Sequence, residues 1–256
     1  MIRKIIPALV IWTLVIWIGL TLPAAAQVEM EGFVWLLEPE GEAALGIEGL
    51  IGTVVDLKED FGYSDTESAP GARVILGDTH QLVFSGFQFD ASAESTVDRQ
   101  IRFGDNLFAI NERVSSAFDL TVLQAYYRLN LGPDAFHGGV LAGGEYIGVE
   151  AEASSPRLGS ASVDADAGMF LIGAFAESEL LPFLKLRASG MGGAFEISDV
   201  EADYFDFEIA ILAQLPPVFQ IGAGYRYIDV SAEDDSHPLT VDLTFKGPTL
   251  FIGFAW

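Results

Sequence analysis

The chain has no cysteine, which excludes disulfides, thiolate nucleophiles and cysteine-based metal sites. Basic residues are scarce as well. Thirteen Lys and Arg stand against 37 Asp and Glu, for a formal net charge of −24. A nucleic-acid partner needs a basic footprint, so this balance argues against one. Only three histidines are available for acid–base work or metal ligation. Beyond the first 26 residues no apolar run is long enough for a membrane-spanning helix. The acid excess nonetheless does not mark a disordered chain, because 50% of the residues are hydrophobic and 12% aromatic. High charge with high apolar content implies two segregated surfaces, an apolar belt and acidic loops in water.

The N-terminus sets the expected compartment. Arg3 and Lys4 precede an apolar stretch from Ile5 to Leu22, and Ala24-Ala25-Ala26 offers a small-residue cleavage site before Gln27. This pattern reads as a secretory signal peptide over residues 1–26, leaving residues 27–256 as one domain. An uncleaved anchor is the competing reading, since the apolar stretch is close to spanning length. Removing the segment takes away two basic residues and no acidic ones, which deepens the acid excess.

From Gln27 onward, alternating segments of roughly ten residues are separated by turns that are short and long by turns. Strands are expected near 30–38, 69–76, 80–90, 114–131, 136–150, 165–177, 183–197, 203–214 and 218–230, with a last one ending the chain. Tight connections fall at 77–79, 132–134, 180–182 and 215–217. Long polar ones fall at 39–68, 94–111, 151–163, 198–202 and 231–238. Gly52 to Leu57 is a candidate extra strand, and Thr96 to Phe103 a candidate strand extension. The expected fold is all-β: a transmembrane, antiparallel, up-and-down β-barrel of ten strands. Eight strands result if the first segments pair poorly, twelve if Gly52 to Leu57 joins a further hairpin.

The faces tell a membrane barrel from a soluble one. Phe205, Phe207, Ile209 and Ile211 share one face of their strand, while Asp206, Glu208, Ala210 and Leu212 share the other. On the next strand Phe219, Ile221, Ala223, Tyr225 and Tyr227 oppose Gln220, Gly222, Gly224 and Arg226. Leu184 and Leu186 oppose Lys185, Arg187 and Ser189. Aromatic faces turned to lipid and charged faces turned inward fit a small membrane barrel filled by ion pairs. Glu145, Lys185, Arg187, Asp206, Glu208 and Arg226 are the expected lumen network. It reads first as packing and second as a conduction path or ligand site. The chain ends in alternation too: Leu250, Ile252, Phe254 and Trp256 form an apolar face with an aromatic end.

No catalytic constellation emerges. Ser236 and His237 are adjacent, so in an extended chain they point apart and pair poorly. The Gly-x-Gly spacings follow no strand-then-helix pattern, which rejects a dinucleotide fingerprint. The acidic residues Asp56, Glu59, Asp60, Asp65, Asp234 and Asp235 are weak candidates for Ca²⁺, lacking the spacing of a dedicated loop. Neither a cofactor, a structural metal nor an enzymatic activity is expected.

Several stretches resemble small single-domain bacterial outer-membrane β-barrels of the OmpA and OmpW type. They are Asp56-Leu57-Lys58-Glu59-Asp60-Phe61-Gly62, Asp98-Arg99-Gln100-Ile101-Arg102-Phe103-Gly104-Asp105, Val114-Ser115-Ser116-Ala117-Phe118-Asp119-Leu120, Gly224-Tyr225-Arg226-Tyr227-Ile228-Asp229 and Lys246-Gly247-Pro248. The resemblance implies a Gram-negative outer membrane, lipid and lipopolysaccharide as surroundings, and the barrel-assembly machinery as a partner that reads the terminal aromatic strand. It implies no catalytic residues. A monomer with a structural or surface-interaction role is the leading expectation. A narrow channel for small or hydrophobic molecules comes second, and a lipid A-modifying enzyme third.

Overall fold

The computed structural model describes residues 27–45, 53–60, 62–63, 66–103, 106–133, 135–197, 200–234 and 239–255. Along the chain the strands are β1 (Val28–Leu45), β2 (Val55–Asp56), β3 (Glu67–Leu76), β4 (His80–Thr96), β5 (Ile101–Phe103) and β6 (Asn106–Phe108). They continue as β7 (Arg113–Leu131), β8 (Phe136–Ser155), β9 (Gly159–Leu181), β10 (Leu184–Ile197), β11 (Val200–Leu215), β12 (Phe219–Asp234) and β13 (Leu239–Ala255). Neighbours in the sheet run β13-β12-β11-β10-β9-β8-β7-β4-β3-β1, and β13 also pairs with β1. The result is a closed antiparallel barrel of ten strands. Closure explains how a chain without disulfides is held together, since no long edge is left unpaired.

The short turns lie on one end, which we call the lower rim, at 77–79, around 132–135, at 182–183 and at 216–218. The strands extend further past the other end than their polarity suggests. β1 runs on to Leu45 through Glu38, Glu40 and Glu42, and β9 begins at Gly159, within the expected 151–163 loop. The expected loops at 198–202 and 231–238 likewise shrink, because β11 starts at Val200 and β12 ends at Asp234. On β1 the face opposite these acidic residues carries only Pro39, Gly41 and Ala43, so the apolar half of the alternation is weak in the sequence, yet the ladder continues. Glu42 pairs with Asp242 and Glu152 with Ser162.

Val55-Asp56 adds a two-residue pairing to β1 instead of a further barrel strand, and β5 and β6 form a separate small hairpin. Both cover the upper mouth. Val55, Leu57, Tyr63, Val97, Ile101 and Phe108 are all buried in the same cluster as the lumen residues.

The lumen is packed solid. Trp35, Leu37, Phe89 and Phe245 are at most 2% exposed. Phe33, Trp35 and Leu37 therefore point inward, although an aromatic face in a membrane barrel is more readily assigned to lipid. Packing at this density requires small residues where strands cross closely. A Cβ on Gly143 would fall 2.4 Å from Cα of Tyr126, and one on Gly173 2.2 Å from the carbonyl oxygen of Gly190. Outside, Phe205, Phe207, Ile209, Ile211, Ile221 and Tyr225 are exposed, in agreement with the alternation of their strands.

Candidate functional site: the charged lumen

Two groups of ion pairs lie below the aromatic core, and register explains their placement. Glu145 on β8 stands opposite Gln124 on β7, Gln124 opposite Ser85 on β4, Ser85 opposite Arg73 on β3, and Arg73 opposite Glu31 on β1. Each strand contributes an inward polar residue to this row. Because strands tilt in a barrel, such a row winds across the lumen instead of circling it at one height.

The first group is a closed four-membered arrangement. Arg73 donates to Glu208 from both terminal nitrogens, at 3.0 Å each, and to Glu31 at 3.1 Å. Arg187 donates to Glu31 at 2.8 Å and to Glu208 at 3.3 Å. Each carboxylate thus accepts from both guanidiniums, which is the condition for buried charges to be tolerated. Gln220 donates to Glu31 at 3.2 Å and to Glu29 at 2.8 Å, extending the group toward the lower rim.

The second group centres on Asp206. Arg226 donates to it twice, from Nε at 3.1 Å and Nη2 at 2.6 Å. Tyr204 donates to the same carboxylate at 3.3 Å. Gln124 donates to Asp206 at 3.3 Å and to Glu145 at 2.5 Å, so one amide bridges two carboxylates. The Arg226 guanidinium also lies 4.9 Å from the ring centre of Phe87 and 5.3 Å from that of Trp35. Those rings begin the apolar plug above, where Phe89, Phe118 and Phe245 stack within 6.5 Å of one another. Nearer the lower rim, Arg128 pairs with Glu177, lies 3.6 Å over Phe175, and shares that carboxylate with His137 at 3.4 Å.

Glu145, Arg187, Asp206, Glu208 and Arg226 are therefore gathered in the lumen. Lys185 is half-buried at the lower rim, opposite Glu179, and joins none of these hydrogen bonds among the described residues. Sequence reasoning missed Glu31, Arg73, Gln124, Arg128, Glu177 and Tyr204. The parity signal exists for each. Arg73 shares a face with Ala69, and Glu31 with Phe33 and Trp35, but a face with such apolar partners reads more readily as lipid-facing.

The acidic mouth binds itself. Asp56 accepts the backbone N–H groups of Lys58 and Glu59 at 2.7 Å each, and Asp60 accepts that of Asp56 at 2.8 Å while pairing with Arg99. Asp56, Glu59, Asp60 and Arg99, with Glu42, Val54 and Asp98, line a cavity of about 470 Å³. Among the described residues no three His, Asp or Glu converge as a metal site. Asp65 and Asp235 lie outside the described residues, as does the side chain of Asp234. On the part of β1 above the lipid belt, hydrogen bonds from Lys246 and Lys58 hold Glu40 below the ordinary carboxylate range. Arg157, Ser155 and the Ala109 N–H together bring Glu112 down to about 2. At the C-terminal end Leu250, Ile252 and Phe254 face outward, and Trp256 lies outside the described residues.

No protein-family model matches the chain, and no curated protein does. Solved structures do. The outer-membrane protease OmpT of Escherichia coli is similar over 90% of this chain and 97% of its own, with a TM-score of 0.59 at 9% identity. The transport unit of the autotransporter AIDA-I from Escherichia coli aligns with a TM-score of 0.41 at 8% identity, over 92% of this chain and 90% of its own. The translocator domain of the autotransporter NalP from Neisseria meningitidis gives 0.40 at 11% identity, over the same shares. At 9% identity the likeness to OmpT is one of fold: the chain has the fold of a bacterial outer-membrane β-barrel.

Proposed function

We propose that the protein is an integral outer-membrane β-barrel of a Gram-negative bacterium whose lumen serves packing, leaving its work to the exposed surface. In this reading residues 1–26 direct export and are removed. The barrel-assembly machinery inserts the domain by recognising Leu250, Ile252, Phe254 and Trp256, and it functions as a monomer without catalysis. The observation that carries the proposal is the filled lumen: two groups of paired arginines and carboxylates lie under an aromatic plug, and the segments carrying Val55, Leu57, Tyr63, Val97, Ile101 and Phe108 cover the plug. An ion crossing it would have to displace paired charges and then a dry apolar layer, both at high cost. Planar-bilayer recordings on the purified chain test this. No stable conductance steps are expected, and reproducible single-channel openings would refute the occluded reading in favour of a narrow channel. His80 bonds to Tyr127 and His137 to Glu177, while Ser236 and His237 lie outside the described residues.

A further inference from the structure

The outward-facing surface of the barrel is uneven in height, and the unevenness follows the order of the strands. On β8 the outward positions from Phe136 to Gly148 carry no charge, and the first ionised one is Glu150. On β9 the uncharged stretch runs from Leu180 up to Gly168, ending at Asp166. On β11 it runs from Leu215 to Phe205, and on β12 from Phe219 to Tyr227. On β13 it spans only Phe254 to Pro248 before Lys246, and on β1 it spans Met30 to Leu36 before Glu38. On β4 it runs from Leu82 to Gln88 before Asp90, with Phe84 its last large apolar side chain. At ~3.3 Å per residue and a strand tilt of ~40°, the belt is roughly 30 Å tall at β8–β9 and roughly 15 Å at β13.

A tilted barrel would shift both edges of the belt the same way. Here the edges move apart. Where the belt reaches highest, the lower rim is also apolar: Leu180, Leu181, Phe183, Leu215 and Val218 are all exposed. Beside the short side, at the β3–β4 turn, the rim is polar, with Asp78, Thr79 and His80 exposed. The outward charges on the short side are also committed: Glu40 is bridged by Lys246 and, at 2.6 Å, by Lys58. Such a cluster is costly in hydrocarbon, and a bilayer meets a short belt by thinning.

Resting on the outer-membrane reading above, we propose that the barrel seats in a wedge-shaped slot and thins the bilayer along an arc centred on β13 and β1. The partner of that arc is the lipid itself. The surrounding acyl chains are compressed there and stretched beside β8 and β9, so the protein imposes a local gradient of membrane thickness.

The absence of cysteine makes the test clean, since every introduced thiol is unique. Five single variants of the mature chain are spin-labelled and reconstituted in palmitoyl-oleoyl phosphatidylcholine–phosphatidylglycerol vesicles: Ile209→Cys, Gly168→Cys, Thr244→Cys, Thr79→Cys and Phe183→Cys. Gly168 tolerates the change, as a Cβ there meets only the Glu145 carbonyl oxygen at 3.9 Å. A heat-modifiability gel shift certifies folding of each variant. Collision rates with oxygen and with a water-soluble nickel chelate then report depth. Labels at 168, 183 and 209 should favour oxygen several-fold, and labels at 244 and 79 should favour nickel, although 244 stands fewer residues than 168 above the lower end of its own strand. Equal readings at 168 and 244 would overturn the proposal in favour of a flat belt. Lipid at 79 with water at 183 would overturn it in favour of tilt. A label at 244 immobilised and dipolar-broadened until diluted with lipid would overturn it in favour of a second copy on the arc. Nickel access at 209, in the middle of the belt, would instead refute the membrane reading itself.

Discussion

Replacing Arg226 with methionine puts the packing account of the lumen under direct strain. The side chains of Arg226 and Asp206 are 2% and 4% exposed, and their closest contact is 2.6 Å. Arg226→Met keeps most of the volume between Phe87 and Trp35 but leaves the Asp206 carboxylate buried with only the Gln124 and Tyr204 donors. Breaking a buried pair from one side costs about 3–5 kcal/mol, because the remaining charge is uncompensated. Asp206→Leu alone should cost about as much, for the same reason with the sign reversed. The double variant removes both charges and should lie within about 1–2 kcal/mol of the original, since replacing a buried pair by apolar groups is often near neutral. The exposed Arg113–Glu94 pair, with side chains 71% and 57% exposed, is the control. Arg113→Ala should shift stability by less than about 1 kcal/mol. Equilibrium urea unfolding from lipid vesicles, followed by the fluorescence of Trp35 beside the guanidinium, measures all four. Near-additive single effects below about 1 kcal/mol would refute the account, since they would place Asp206 and Arg226 in water and the lumen open.

Two further outcomes follow from the upper end of the barrel. Glu112 has its folded pKa lowered to about 2 by Arg157, Ser155 and the Ala109 N–H, so its contribution is full above the unfolded carboxylate value. That contribution fades as pH falls from about 4.5 toward 2; carboxyl NMR of labelled protein should show the low midpoint and Arg157→Ala should raise it toward ~4.3, an unmoved midpoint counting against the pairing. Asp90, Asp119, Glu150 and Asp164 stand directly opposite one another on four adjacent strands. Like charges in such pairs repel by about 0.2–1 kcal/mol each, so Glu150→Gln should stabilise the barrel and flatten its salt dependence, and a destabilised variant would contradict this.

Much of the fold was legible because a barrel writes itself in parity. Phe205 to Leu212 assigns a lipid face and a lumen face without ambiguity, and Gly77-Asp78-Thr79 marks a turn by composition alone. Parity fails where both faces are apolar or both are polar. Phe33, Trp35 and Leu37 alternate cleanly, but only three-dimensional closure reveals that their side is the inside. Glu38 to Leu45 sets its acidic residues against only Pro39, Gly41 and Ala43, and Ser160 to Asp166 alternates Ser and Asp with Ala161, Val163 and Ala165, so the apolar half of each pattern is too weak to announce a strand. The candidate site divides the same way. Asp206, Glu208 and Arg226 were found from their apolar opposites, whereas Glu31 and Arg73 come together across the lumen from segments that say nothing of each other in sequence.

The arrangement of the lumen also explains why the ion pairs sit low and the aromatics high. The lower rim is closed by short turns, which contribute few side chains to the interior. Long side chains that bond across the lumen, such as Arg73 to Glu208 and Arg187 to Glu31, fill that space and tie β1 and β3 to β10 and β11. The upper mouth receives Val55, Leu57, Tyr63, Ile101 and Phe108 from its connections, so apolar packing is available there without buried charge. Each end is thus filled by what its connections supply. Much of the acidic surplus, Asp90, Asp119, Glu150 and Asp164 among it, has no place in either filling and stands on outward faces above the lipid belt, where a partner approaching from that side would meet it first.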